Sequence, residues 1–125
     1  MPDALTPKKT VAILGAGPVG LAAAAHVLER GLEPIVLEAG DQVAHAVRQW
    51  GHVQLFSPWE YNVDRATERL LRLTGWNSPD PQQHPTGTEL VERYLEPLAT
   101  KTAFPTTVGE LSLGPASREK RRAPV

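Results

Sequence analysis

The feature that most constrains this chain is a glycine-rich turn set between two apolar runs. Thr10-Val-Ala-Ile-Leu14 is a compact apolar stretch ending at a glycine, the pattern of a buried parallel strand. It runs into Gly15, Ala16, Gly17, Pro18, Val19 and Gly20, a G-x-G-x-x-G spacing. Pro18 to Arg30 then reads as a helix. Pro18 suits a first helical turn, where a missing N–H costs nothing, and Gly31 stands where a left-handed C-terminal residue belongs. Pro34-Ile-Val-Leu-Glu38 is a second short apolar strand that ends on a carboxylate, 18 positions beyond Gly20.

A lone G-x-G-x-x-G is a weak signal, but here it follows a strand, opens a helix and has an acid at the end of the next strand. Each position then has a physical task. Gly15 permits the tight strand-to-helix turn, Gly17 leaves the backbone open to a pyrophosphate, and Gly20 lets the helix lie close to the strand. Free N–H groups at the helix start, at its positive dipole end, face the phosphates. Glu38 is placed to accept hydrogen bonds from ribose hydroxyls and to repel a 2′-phosphate. A ligand-free glycine turn would account for the glycines but not for this whole constellation. FAD and NAD share this βαβ physics, so the pattern leaves the two open; the lack of an arginine directly after Glu38 argues against NADP at this position.

The rest of the chain gives weaker signals. Asp41 to Trp50 is expected as a short helix, Val53 to Phe56 as a short strand or extended segment, and Asn62 to Leu73 as a helix with Ala66, Leu70, Leu71 and Leu73 toward the core. Residues 75–85 hold Pro79, Pro81 and Pro85 and read as a loop. Thr86 and Glu89 have the spacing of a capping box, opening a helix whose apolar face is Leu90, Val91, Tyr94, Leu95 and Leu98, with Pro97 awkward near its end. The organisation expected is a leader at 1–9, a dinucleotide-binding unit at 10–99 and a poorly structured or truncated tail at 100–125. The expected fold class is therefore α/β, a Rossmann-like βαβ unit with following helices. It is expected to be incomplete, because a closed sheet needs at least one further strand.

Composition closes off other chemistry. The chain has no cysteine, which excludes disulfides, thiolate metal sites and a redox-active CxxC within it, so electron chemistry falls to a bound cofactor. Its four histidines show no HxxxH or HxH spacing, and no metal site is expected. A formal net charge of -1 gives no pull toward nucleic acid or an anionic membrane, and the longest apolar stretch, Val19 to Ala25, is far too short for a bilayer span. The basic run Arg118 to Arg122 reads as solvated, and the expected address is cytoplasmic. Arg48 is placed to reach a phosphate or ribose from the helix after Glu38, or to lie on the surface; Trp50, Trp59 and Trp76 read as packing residues, and His26 as a surface residue.

Val11 to Glu38, with the motif so near the N-terminus, resembles the opening of two-dinucleotide flavoproteins of the glutathione-reductase and flavin-monooxygenase type. Trp50-Gly-His-Val-Gln-Leu-Phe-Ser-Pro-Trp59 and Pro85-Thr-Gly-Thr-Glu-Leu-Val-Glu-Arg-Tyr-Leu-Glu-Pro-Leu-Ala99 are similar to segments of bacterial FAD/NAD(P)-dependent oxidoreductases. The resemblance covers about residues 10–99. It implies FAD at this first unit, with NAD(P)H as co-substrate bound at a second unit of a longer chain. The sequence departs from that pattern: Asp41 to Arg48 stand where a Gly-Gly pair often follows the acidic strand, and no second G-x-G-x-x-G occurs. The chain is therefore expected to be the amino-terminal portion of such an oxidoreductase. An NAD(H)-binding dehydrogenase domain and a non-catalytic dinucleotide-binding remnant are the alternatives. No catalytic side chain is assigned.

Overall fold

The computed structural model of the chain describes residues 9–102 and 105–109. Three strands form one parallel sheet in the order β1-β2-β3: Thr10–Leu14, Glu33–Glu38 and Thr106–Val108. Thr10 pairs with Glu33 and Leu14 with Leu37; Val36 pairs with Thr106 and Glu38 with Val108. With β2 between its neighbours, this is one half of a doubly wound sheet, and the third strand that the sequence reading lacked is β3. Helix α6 continues to Lys101 and β3 lies beyond it, so both run past the expected boundary at residue 99. Residues 1–8 and 110–125, which hold most of the expected leader and tail, lie outside the described residues.

The crossover from β1 to β2 is α1 (Pro18–Glu29), which turns Leu21, Ala24 and Ala25 into the interior. The small alanine side chains let its axis lie close to the sheet, where Pro34 and Val36 of β2 are buried beneath it. The opposite face of β1 is open among the described residues: Ala12 is exposed and Leu14 is 68% exposed. An apolar run thus marked the strand, yet only one of its faces is covered.

The longer crossover, from β2 to β3, carries α2 (His45–Arg48), α3 (Trp59–Asn62), α4 (Arg65–Arg72), α5 (Gly87–Leu90), a π-helical stretch Val91–Leu95 and α6 (Glu96–Lys101). The expected helix over 62–73 is split in two. Val63 is extended, and the Asp64 side chain accepts hydrogen bonds from the Ala66 and Thr67 amides at 2.8 and 3.2 Å, restarting the chain as α4. Ala66 and Leu71 are buried and Leu70 packs on the core, but Leu73, at the C-terminal end of α4, is 84% exposed. The expected helix over 41–50 is the single turn α2, and Gln54 forms an isolated antiparallel bridge with Thr86 in place of a strand.

The capping box is present in full: Thr86 Oγ1 accepts from the Glu89 amide at 3.1 Å, and Glu89 Oε1 accepts from the Thr86 amide at 3.0 Å. Leu90, Val91, Tyr94, Leu95 and Leu98 are all buried, as their spacing predicts. Pro97 has no N–H for the Arg93 carbonyl one turn earlier. The chain answers with a π-helical widening at Val91–Leu95, and Trp76 Nε1–H donates to that carbonyl at 2.7 Å. Trp59, only 2% exposed, belongs to the same core cluster as Val47, Leu71 and the buried residues of this helix.

Candidate dinucleotide-binding site

At the carboxyl end of β1 the chain turns through Gly15, whose φ of +108° is closed to most L side chains. The Gly15 N–H donates to Leu37 O at 2.7 Å, locking the turn against the end of β2. Gly17 is the N-cap of α1 and has no side-chain cap; Pro18 follows at the first helical position. The amides of Val19 and Gly20 therefore have no acceptor within the helix, and no acidic side chain occupies its first turn. Space above Gly17 is open, since a Cβ built there meets nothing within 4 Å. Gly20 is the reverse case: a Cβ there would collide with the Gly15 carbonyl oxygen and stand 3.5 Å from Ile13 Cγ2. The three glycines thus serve three different needs: a positive φ, an open approach and a close packing.

Glu38 ends β2 facing the same loop. Its Oε1 accepts from the Ala16 amide at 2.8 Å and its Oε2 from the Gly40 amide at 2.8 Å. An ionised carboxylate offers about four lone-pair positions, so two amide donors leave capacity for ribose hydroxyls. The sequence suggested a ligand role alone; the structure shows that this carboxylate also fastens the glycine loop to the turn after β2. Two further bonds extend the stitching. Ala44 N–H donates to Ala16 O at 2.9 Å, and Gly109 N–H donates to Gly40 O at 2.7 Å.

Beside these strand ends lies a cavity of about 450 Å³, lined among others by Val43, Arg48, Glu96, Thr106 and Val108. Thr106 Oγ1 is buried and has no hydrogen-bond partner among the described residues. In open α/β sheets ligands enter at the carboxyl ends of the strands, where this cavity and the glycine loop both sit. Arg48 does not stand free toward the loop. Its Nε–H donates to Val43 O at 2.8 Å and its Nη2 to Glu96 Oε2 at 3.1 Å. Among the described residues no group of three His, Cys, Asp or Glu side chains is arranged to hold a metal ion, and no helix is long and apolar enough to cross a membrane.

Away from the loop, α1 is tied to α4. His26 Nε2 meets Asp64 Oδ1 at 3.0 Å, and Arg69 grips Glu29 through two bonds of 2.7 and 2.8 Å. Partial burial pushes the Asp64 carboxyl up, but the His26 contact and the Thr67 and Ala66 amides outweigh it and hold the group below the usual aspartate range. The Tyr94 hydroxyl, within 2.7 Å of Thr67 Oγ1, is pushed above the ordinary tyrosine value by burial. His26, read as a surface residue, therefore has a partner that could not be seen in the sequence.

A family described as pyridine nucleotide-disulphide oxidoreductase matches residues 12–110, which contain the glycine loop, Glu38 and β3. The chain belongs to the pyridine nucleotide-disulphide oxidoreductase family. The family is one of pyridine-nucleotide-dependent oxidoreductases, and the fold matched is a Rossmann-type βαβ unit, as the resemblance implied. Among solved structures the chain is similar to bacillithiol disulfide reductase Bdr from Staphylococcus aureus, with a TM-score of 0.55 and 16% identity. That match covers 82% of this chain and 28% of the reductase, and it shows the shared fold. No functionally curated protein matches the sequence.

Proposed function

We propose that this chain binds FAD, as the amino-terminal portion of an NAD(P)H-dependent flavoprotein oxidoreductase with a cytoplasmic address. The observation that carries the reading is the glycine loop at the mouth of α1: open space over Gly17, amides at Val19 and Gly20 with no acceptor within the helix, and Glu38 facing the same loop. In this reading Gly15, Ala16, Gly17, Pro18, Val19 and Gly20 carry the pyrophosphate. The amides supply hydrogen bonds and the helix dipole supplies positive potential. Glu38 accepts from the adenosine ribose with the lone pairs that Ala16 and Gly40 leave free. Bound FAD would supply the electron chemistry, taking a hydride from the nicotinamide in the complete architecture. The disulfide chemistry in the family's description has no sulfur donor within these 125 residues, which hold no cysteine.

The test is a calorimetric titration of the full chain with FAD and, separately, with NADH. Saturable FAD binding that Glu38→Ala weakens supports the reading. Tight NADH binding without FAD binding would replace it with an NAD(H)-dependent dehydrogenase domain. A folded chain that binds neither would make the loop a remnant without ligand duty.

A further inference from the structure

Ala44 is the one described non-glycine residue with a positive φ, at 59°, and it is buried to 1% exposure. A left-handed alanine is strained against an ordinary conformation, so its surroundings have to hold it there. Three bonds surround that peptide. Ala44 N–H donates to Ala16 O at 2.9 Å, inside the glycine loop. Ala44 O accepts from the Arg48 amide at 3.0 Å, and the preceding carbonyl, Val43 O, accepts from Arg48 Nε–H at 2.8 Å. The guanidinium is in turn held from α6 by Glu96 at 3.1 Å. A continuous path therefore runs from α6 through Glu96, Arg48 and the strained turn to Ala16.

We propose that Arg48 is a positioning residue for the glycine loop: it clamps the strained Ala44 turn, whose amide fixes Ala16, and Glu96 steadies the clamp. The proposal deepens the dinucleotide-binding reading and rests on it for its functional meaning, while the clamp itself is testable without any ligand. Arg48 acts here through the backbone and not by touching phosphate. The contribution of its two contacts differs. Arg48 Nε–H to Val43 O is a charge-assisted bond, stronger than one between neutral groups. The Arg48–Glu96 pair is a partly exposed surface ion pair, and such pairs contribute less. Because the Arg48–Val43 bond is itself exposed and so at the weak end of its class, loss of Arg48 should cost about tenfold in local protection, and loss of Glu96 about threefold.

The experiment measures amide hydrogen exchange at position 44 and at Val36, with FAD affinity alongside, in the full-length parent, Arg48→Ala, Glu96→Ala, the double variant, and Arg48→Ala combined with Ala44→Gly. Arg48→Ala is expected to lower protection at position 44 about tenfold, and Glu96→Ala about threefold, with Val36 in the sheet unchanged. Glu96→Ala adds nothing once Arg48 is gone, because it acts through that side chain. Ala44→Gly restores protection in the Arg48→Ala background, since a glycine adopts the turn without being held. FAD affinity follows protection at position 44 across the series. Unchanged protection in Arg48→Ala, equal acceleration at Val36, additive losses, or no rescue by Ala44→Gly would each overturn the clamp. Affinity that ignores the series in a chain that binds FAD would overturn its link to the cradle. A parent that shows the exchange pattern but binds no dinucleotide would leave the clamp standing and remove the dinucleotide-binding reading instead.

Discussion

Replacing Gly20 with alanine sets two opposed effects against each other at one atom. In a helix, alanine is favoured over glycine by about 1 kcal/mol, and on propensity alone Gly20→Ala should stabilise α1. The geometry predicts the opposite. The new methyl would collide with the Gly15 carbonyl oxygen and lie 2.9 Å from its carbon. Neither side has an easy retreat. Gly15 is held by its amide's 2.7 Å bond to Leu37 O, and α1 is held by Leu21, Ala24 and Ala25, each at 0% exposure. Overpacking of this kind costs about 1–3 kcal/mol, and moving the loop would weaken the Gly15–Leu37 bond by about 1 kcal/mol more. The net is a loss of about 1–3 kcal/mol, or a fall in Tm of about 5–20 °C for a domain of this size. Thermal unfolding followed by far-ultraviolet circular dichroism measures it. Gly17→Ala is the control, because its Cβ meets nothing and its φ of -93° suits any residue. Its Tm should stay level or rise slightly as the unfolded chain loses freedom. A Gly20→Ala variant as stable as the parent would refute the close-packing argument.

Trp76→Phe should cost about 1–2 kcal/mol in urea unfolding by removing the donor to the Arg93 carbonyl, and less in a Pro97→Ala background, where a backbone N–H is available one turn on. Asp64→Asn keeps a capping oxygen for α4 but loses the negative charge beside His26. Because the native carboxyl titrates below its unfolded value, its stabilisation is present above about pH 4 and is lost as pH falls through the native value. The parent should therefore lose stability along an acid limb that is flatter in Asp64→Asn, as read from Tm between neutral and strongly acid pH.

The parts of the fold that were legible in the sequence are those set by short-range pattern. The apolar run at 10–14, the glycines, Pro18 and the run ending at Glu38 are local signals, and β1, α1 and β2 follow them closely. The capping box and the helical spacing from Leu90 to Leu98 are equally local, and both are present as read. β3 gave no signal because Thr106–Val108 is three residues long and largely polar; it is a strand only because β2 offers an edge. Asp64 could have announced the break before α4, since an aspartate ahead of Ala66 and Thr67 is a capping signal, but the apolar spacing around it suggested continuity. Partners distant in sequence were out of reach. Arg48 with Glu96, His26 with Asp64 and Trp76 with the Arg93 carbonyl all depend on how the helices stack. The sequence placed Glu38 at the end of β2, but its bonds to the Ala16 and Gly40 amides depend on where the loop lies once β1 and β2 have paired.

The central claim is that the start of α1 cradles the pyrophosphate of a dinucleotide, and an amide-resolved NMR titration of the full chain with FAD tests it most directly. The account predicts saturable shifts that are largest at the Gly17, Val19 and Gly20 amides, with Gly17→Val folded but unresponsive. Saturable binding that leaves those three amides unmoved, or that persists unchanged in Gly17→Val, would contradict it.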